Sequence, residues 1–261
     1  MRNFIPVLSL AVTLAIAASA EANVIGPQQS LASLLFDSTT QTDHSLIVGD
    51  KIFHNFTYAF SGDMPDASAV NVIPYVDVAG NFGIRLQGGF GDRPGGGISD
   101  ALLGYTVDVD PLAGMAISDA HLSGDPATTG VGRVSVTETW TPIDAAGLPG
   151  DPQAVITSVS PGSKIDPITG LPRADNTFYA AVDFLPNTYG SLLVLKDIKA
   201  DAGPALVNGL NNVSIADVTV IDQTFSQTSG LPNNGASTPE PMTLSIFGLG
   251  AGALLFRRTR K

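Results

Sequence analysis

The chain has 261 residues, no cysteine and a formal net charge of −11. The missing cysteine excludes thiol catalysis, zinc–thiolate sites and disulfide frameworks, and an acidic surface excludes nucleic acid and anionic lipid headgroups as partners, because like charges repel. Between residues 23 and 238 the imbalance is steeper, with 8 Lys and Arg against 22 Asp and Glu, and Glu138 is the only glutamate among the latter. Aspartate in such number, with 28 Gly and 18 Pro in the chain, favours turns and strand ends over long helices.

Residues 1–22 read as a secretory signal peptide. Arg2 supplies a positive charge, residues 4–18 are uncharged and mostly apolar, and small residues follow. Ala18-Ser19-Ala20 and Ala20-Glu21-Ala22 both fit a small-x-small cleavage rule, and cleavage is expected after Ala22 rather than Ala20. The apolar run is short for a membrane span. This predicts export through the secretion machinery.

From residue 23 the pattern is that of strands. Only 31–36 has a faint helical period. Apolar and polar residues alternate in 51–60, where Phe56, Tyr58 and Phe60 share a face, and in 105–110, where Tyr105, Val107 and Val109 oppose Thr106, Asp108 and Asp110. Further strands are expected at 70–78, 82–87, 134–137, 154–158, 177–184, 192–198 and 213–225. Turn clusters fall between them, among them the glycine-rich stretch 88–97, read as a hairpin connection, and Gly124-Asp125-Pro126. Many short strands at this spacing predict a mainly β body, an antiparallel β-sandwich of jelly-roll or immunoglobulin-like type, over residues 23–228. Prolines around 142–172 mark the place for a subdivision, and 229–238 is a polar linker.

The body carries no strong catalytic motif. There is no His-Glu-x-x-His, Gly-x-Ser-x-Gly or Walker loop, and the glycine-rich stretch lacks the helix and Lys-Ser/Thr that a phosphate cradle needs. His54 and His121 read as packing or surface residues, and Trp140 as a core or rim residue. Asp108 and Asp110 stand two apart on a strand, which puts both carboxylates on one face about 7 Å apart. That spacing suits glycosidic cleavage or the start of a Ca²⁺ site, although the following residues fail the EF-hand pattern, and a solvated strand face explains it as well. No cofactor is required by any of these residues.

The C-terminal end has three parts: Pro239-Glu240-Pro241, an uncharged apolar stretch of 15 residues at 242–256, and the basic cluster Arg257, Arg258, Arg260 and Lys261. As a helix the stretch rises about 22 Å, and snorkelling Arg and Lys stems extend its reach toward the roughly 30 Å of a hydrocarbon core. The basic end is expected to stay cytoplasmic. This segment, 239–261, resembles the PEP-CTERM sorting signal of Gram-negative bacteria. The resemblance implies that Pro239, Glu240 and Pro241 are recognised and processed by exosortase, with 242–256 as a transmembrane helix before processing. It also implies an inner-membrane intermediate, followed by the cell envelope, outer surface or extracellular matrix, in organisms that make exopolysaccharide. The strand sequences around Tyr105, His121 and Val134, with Lys196-Asp197-Ile198 and Gln223-Thr224-Phe225, are similar to secreted proteins bearing such tails. The expectation is a non-enzymatic structural or carbohydrate-associated protein. The alternatives are a Ca²⁺-stabilised adhesin and a secreted polysaccharide hydrolase.

Overall fold

A computed structural model describes residues 23–35, 44–144, 146–161, 178–211 and 213–230. The expected export signal at 1–22, nearly all of the linker and the whole sorting segment 239–261 lie outside these residues. Among the described residues no helix is long and apolar enough to cross a membrane.

In chain order the strands are β1 (Asn23–Val24), β2 (Gln29–Ser30), β3 (Leu46–Val48), β4 (Lys51–Ser61), β5 (Asn71–Val76), β6 (Phe82–Asp92), β7 (Ser99–Val109) and β8 (Met115–Thr129). There follow β9 (Arg133–Pro142), β10 (Ala154–Pro161), β11 (Phe178–Asp183), β12 (Ser191–Asp201), β13 (Leu206–Val207), β14 (Leu210–Asn211) and β15 (Ile215–Ser229). A single helical turn, α1 (Leu31–Leu34), buries Leu31 and Leu34. One sheet has the order β1-β5-β6-β15-β8-β11, with β2 also on β5, and the other has the order β10-β9-β12-β7-β4-β3. All their strand pairs are antiparallel. The mainly β, sandwich-like class expected from the alternation is therefore what the chain adopts. The ribbon β13–β14 turns at Asn208-Gly209, both with positive φ, which is the residue pair a two-residue hairpin favours.

The two sheets bury one core between them. Ala101, Leu103, Tyr105, Val107 and Val109 of β7 point inward, as do Val134, Val136 and Trp140 of β9 and Leu192, Val194 and Ile198 of β12. From the facing sheet come Ile84 and Leu86 of β6 and Ile221 and Phe225 of β15. Phe53 stands between the layers, its ring 5.9 Å from Tyr105 and 6.2 Å from Phe225. Burying each such Leu, Ile, Val or Phe stabilises the fold by about 1.5–3 kcal/mol.

Bulges reset the alternation on β4 and on β15. On β4 the register with β7 shifts between His54 and Thr57, where Asn55 takes φ 55°, a left-handed conformation that Asn tolerates better than most residues. The extra residue moves the inward position from Phe53 to Phe56, and both are buried. On β15 the register with both neighbours shifts after Val218, so that Ala216 and Val218 point inward before the bulge and Ile221, Gln223 and Phe225 after it. Close packing of β15 on β6 depends on Gly83, where an added Cβ would lie 1.8 Å from the Gln223 carbonyl oxygen.

Two expected turns are strand instead. Residues 88–92 of the glycine-rich stretch continue β6, and the connection that follows leads to β7 in the other sheet. It is not a hairpin. Gly124-Asp125-Pro126 lies within β8. Among the described residues β11 pairs with β8 over Asp119–Gly124, and Pro126 lies past the end of that pairing, where a proline without an N–H is tolerated.

Candidate functional site

Asp108 and Asp110 take separate hydrogen-bond partners. Asp108 Oδ2 lies 2.8 Å from His54 Nε2 across the β4–β7 ladder. Asp110 Oδ1 instead accepts from the Leu112 backbone N–H at 2.9 Å and caps the short 3₁₀ turn that follows β7. Among the described residues no three His, Cys, Asp or Glu come together as a metal-holding group.

His54 and Asp108 line a cleft of about 690 Å³ with Ile52, Met115, Ser191 and Gly230. Burial pushes the Asp108 carboxyl up, but hydrogen bonds from His54 and Ser191 outweigh it and leave the group below its ordinary value. The carboxylate sits between the imidazole and the hydroxyl. Nucleophilic catalysis needs the imidazole between the hydroxyl and the acid, so this arrangement holds a charge in place rather than activating Ser191.

A second site lies on the outer face of the seven-stranded sheet. Tyr75 (β5), Asp222 and Thr224 (β15), His121 (β8) and Tyr179 (β11) line a groove of about 320 Å³. Antiparallel register brings them together: Thr224 is opposite His121, and Tyr179 is opposite Ser123. Arg85 reaches across from β6, with Nε 2.6 Å from Asp222 Oδ1 and Nη2 2.9 Å from Oδ2. Its guanidinium lies 4.6 Å over the Tyr75 ring, which fixes that ring through a cation–π contact. His121 is held from three sides. Nε2 lies 2.9 Å from Asp119 Oδ1 and 3.1 Å from Ser226 Oγ, and Nδ1 is 2.9 Å from the Tyr179 hydroxyl. Tyr179 itself is 67% exposed, so an open aromatic ring stands beside a row of oriented hydrogen-bonding groups.

The Asp119 hydrogen bond holds His121 above its ordinary pKa against the opposing effect of burial, while burial of Asp119 is outweighed by its hydrogen bonds with His121 and Ser226, which lower its pKa. The contribution of His121 is complete below its unfolded value of 6.5 and is lost as pH rises through its raised folded value; that of Asp119 is complete above 3.8 and is lost as pH falls through its lowered value. The melting-temperature gap between the wild type and His121→Gln is therefore expected to shrink between about pH 6 and pH 9. Thermal melts across that range check it, and a constant or widening gap would contradict it.

A third concentration of polar groups is internal. Glu138 of β9, Lys196 of β12 and Gln223 of β15 are all 0% exposed. Lys196 Nζ donates to Glu138 Oε1 at 2.8 Å and to Gln223 Oε1 at 3.0 Å. The sequence carried a signal for this set. Each residue occupies an inward phase of its strand's alternation, where only apolar side chains are expected.

The molecule is thus an antiparallel β-sandwich with a polar sheet face beside the exposed Tyr179 and a Lys–Glu–Gln group buried in its core. No protein-family model, no curated protein and no solved structure matches the chain.

Proposed function

We propose that this chain is an exported, non-catalytic protein of the cell envelope or extracellular matrix. In this reading exosortase sorts it through Pro239-Glu240-Pro241, and the body binds polysaccharide in the groove between Tyr75 and Tyr179. The observation that carries the binding reading is the groove: the exposed Tyr179 ring stands beside side chains whose positions are fixed by Arg85–Asp222 and His121–Asp119, with Tyr75 buried beneath Arg85. Sugars present apolar ring faces and many hydroxyls, which suit aromatic rings and oriented polar groups. The net charge of −11 favours a neutral glycan over an acidic one. A jelly-roll reading of the sandwich is supported by the strand order, with β6-β15-β8-β11 facing β7-β12-β9-β10 and the chain changing sheet at most connections. Fold alone names no ligand.

Tyr179→Ala is expected to weaken retention on exopolysaccharide from a producing strain about tenfold, equivalent to about 1.4 kcal/mol. Because Tyr179 is exposed, its removal should leave stability within about 0.5 kcal/mol of wild type. Affinity electrophoresis with the isolated polysaccharide measures the effect, and unchanged retention would remove the groove as the binding site.

A further inference from the structure

The core group at Lys196 is poorly explained as packing. Burying an ion pair gains little over apolar residues of the same shape. Here Glu138 Oε2, Gln223 Nε2, Trp140 Nε1 and the Tyr105 hydroxyl, all buried, also find no hydrogen-bond partner among the described residues. Orphaned groups of this kind point to chemistry or to a missing occupant.

We propose that Lys196 and Gln223 are joined by an intramolecular isopeptide bond, formed with Glu138 as the proton carrier, which ties the two sheets together. Lys196 and Glu138 are register partners on neighbouring strands of one sheet, and Gln223 comes from the facing sheet. Lys196 Nζ donates to the Gln223 carbonyl oxygen at 3.0 Å and to the acid at 2.8 Å, so the amine touches the carboxamide it would attack and lies within proton-transfer reach of Glu138. Attack requires Nζ to move from Oε1 onto the face of the carboxamide carbon.

Burial pushes the Lys196 amine down and the Glu138 carboxyl up, which favours a neutral amine and a neutral acid. The amine lone pair forms the N–C bond to Gln223 Cδ, and the carbonyl electron pair moves onto Oε1, which the Glu138 acid stabilises by donating a hydrogen bond. A proton passes from Nζ through Glu138 to Nε2. The carbonyl re-forms, the Cδ–Nε2 bond breaks and ammonia leaves. Glu138 is regenerated, and no oxidant or cofactor is consumed. Another buried lysine, Lys51, donates to Gln227 on the same strand, but its acid, Asp50, is 15% exposed, so water competes there. The bond goes beyond the sorting and glycan readings and stands independently of them.

The test is peptide mapping by tandem mass spectrometry on the folded full chain. The expected result is a branched peptide joining Lys196 to Gln223, lighter than its two parts by one ammonia. Separate linear peptides from folded protein would overturn the proposal, as would a Lys196–Glu138 linkage lighter by one water. Glu138→Gln is expected to yield the unlinked peptides while keeping its β-sheet spectrum; linkage in that variant overturns the role of Glu138. If that variant does not fold, Glu138→Asp supplies the reading. In chains synthesised unfolded and followed from their first folding, its linkage is expected to form more slowly than that of wild type, and an equal rate overturns the role.

Discussion

A chain ending at Ser214 is expected to remain unfolded. The truncation removes β15, which lies between β6 and β8 in the middle of its sheet. It takes away the inward-facing Ala216, Val218, Ile221 and Phe225 and leaves two long ladders unpaired. Four buried apolar side chains, most of them worth about 1.5–3 kcal/mol each, and two rows of backbone hydrogen bonds at roughly 1 kcal/mol each together exceed the 5–15 kcal/mol by which domains are normally stable. Circular dichroism and limited proteolysis check this, and a cooperative melt from a β-rich, protease-resistant fragment would contradict it. The strand also has a topological consequence. It ends at Ser229, ten residues before Pro239, so in the sorting account the sandwich closes only when the stretch next to the signal has cleared the translocation machinery.

Lys196→Met is expected to destabilise the protein by about 3–5 kcal/mol at neutral pH, because it removes both the link between the sheets and the Nζ–H donor to the buried Glu138 carboxyl. In the variant Glu138 keeps a carboxyl pKa raised by burial. The raised value means that its folded form is least penalised below the ordinary 4.5, and stability is lost as pH rises through the folded value. The deficit should therefore be smaller near pH 5 than near pH 7. Adding Glu138→Leu should recover the part of the loss due to the buried carboxyl left without a donor and leave only the covalent part. Urea unfolding at the two pH values measures both effects, and a deficit under about 1 kcal/mol at neutral pH would contradict the account.

Much of this architecture was legible in the residues. Alternation located Tyr105, Val107 and Val109 on a strand with its inner face buried, and it marked 31–36 as the one helical stretch, which becomes the single turn of α1. Trp140 lies in the core. Glycine and proline misled where the sheet itself supplied an exception. Gly88 and Gly89 sit in β6 where its register with β15 shifts, and Pro126 sits in β8 past the described pairing with β11. The grooves were not legible, because they depend on register. His54 meets Asp108 across 54 residues, and His121 meets Tyr179 across 58. The core group was half visible. A lysine, a glutamate and a glutamine at inward phases break the apolar pattern, but only the facing of the two sheets brings Gln223 to Lys196.

The central claim, that the chain is sorted through its tail to the envelope or matrix, is tested most directly by the intact mass and cellular location of the mature protein. The comparison is between cells with and without exosortase. The account predicts a C-terminus trimmed at or near Pro239-Glu240-Pro241 and a protein found in the outer envelope or matrix only when the enzyme is present. An untrimmed tail retained in the inner membrane of both strains would contradict it.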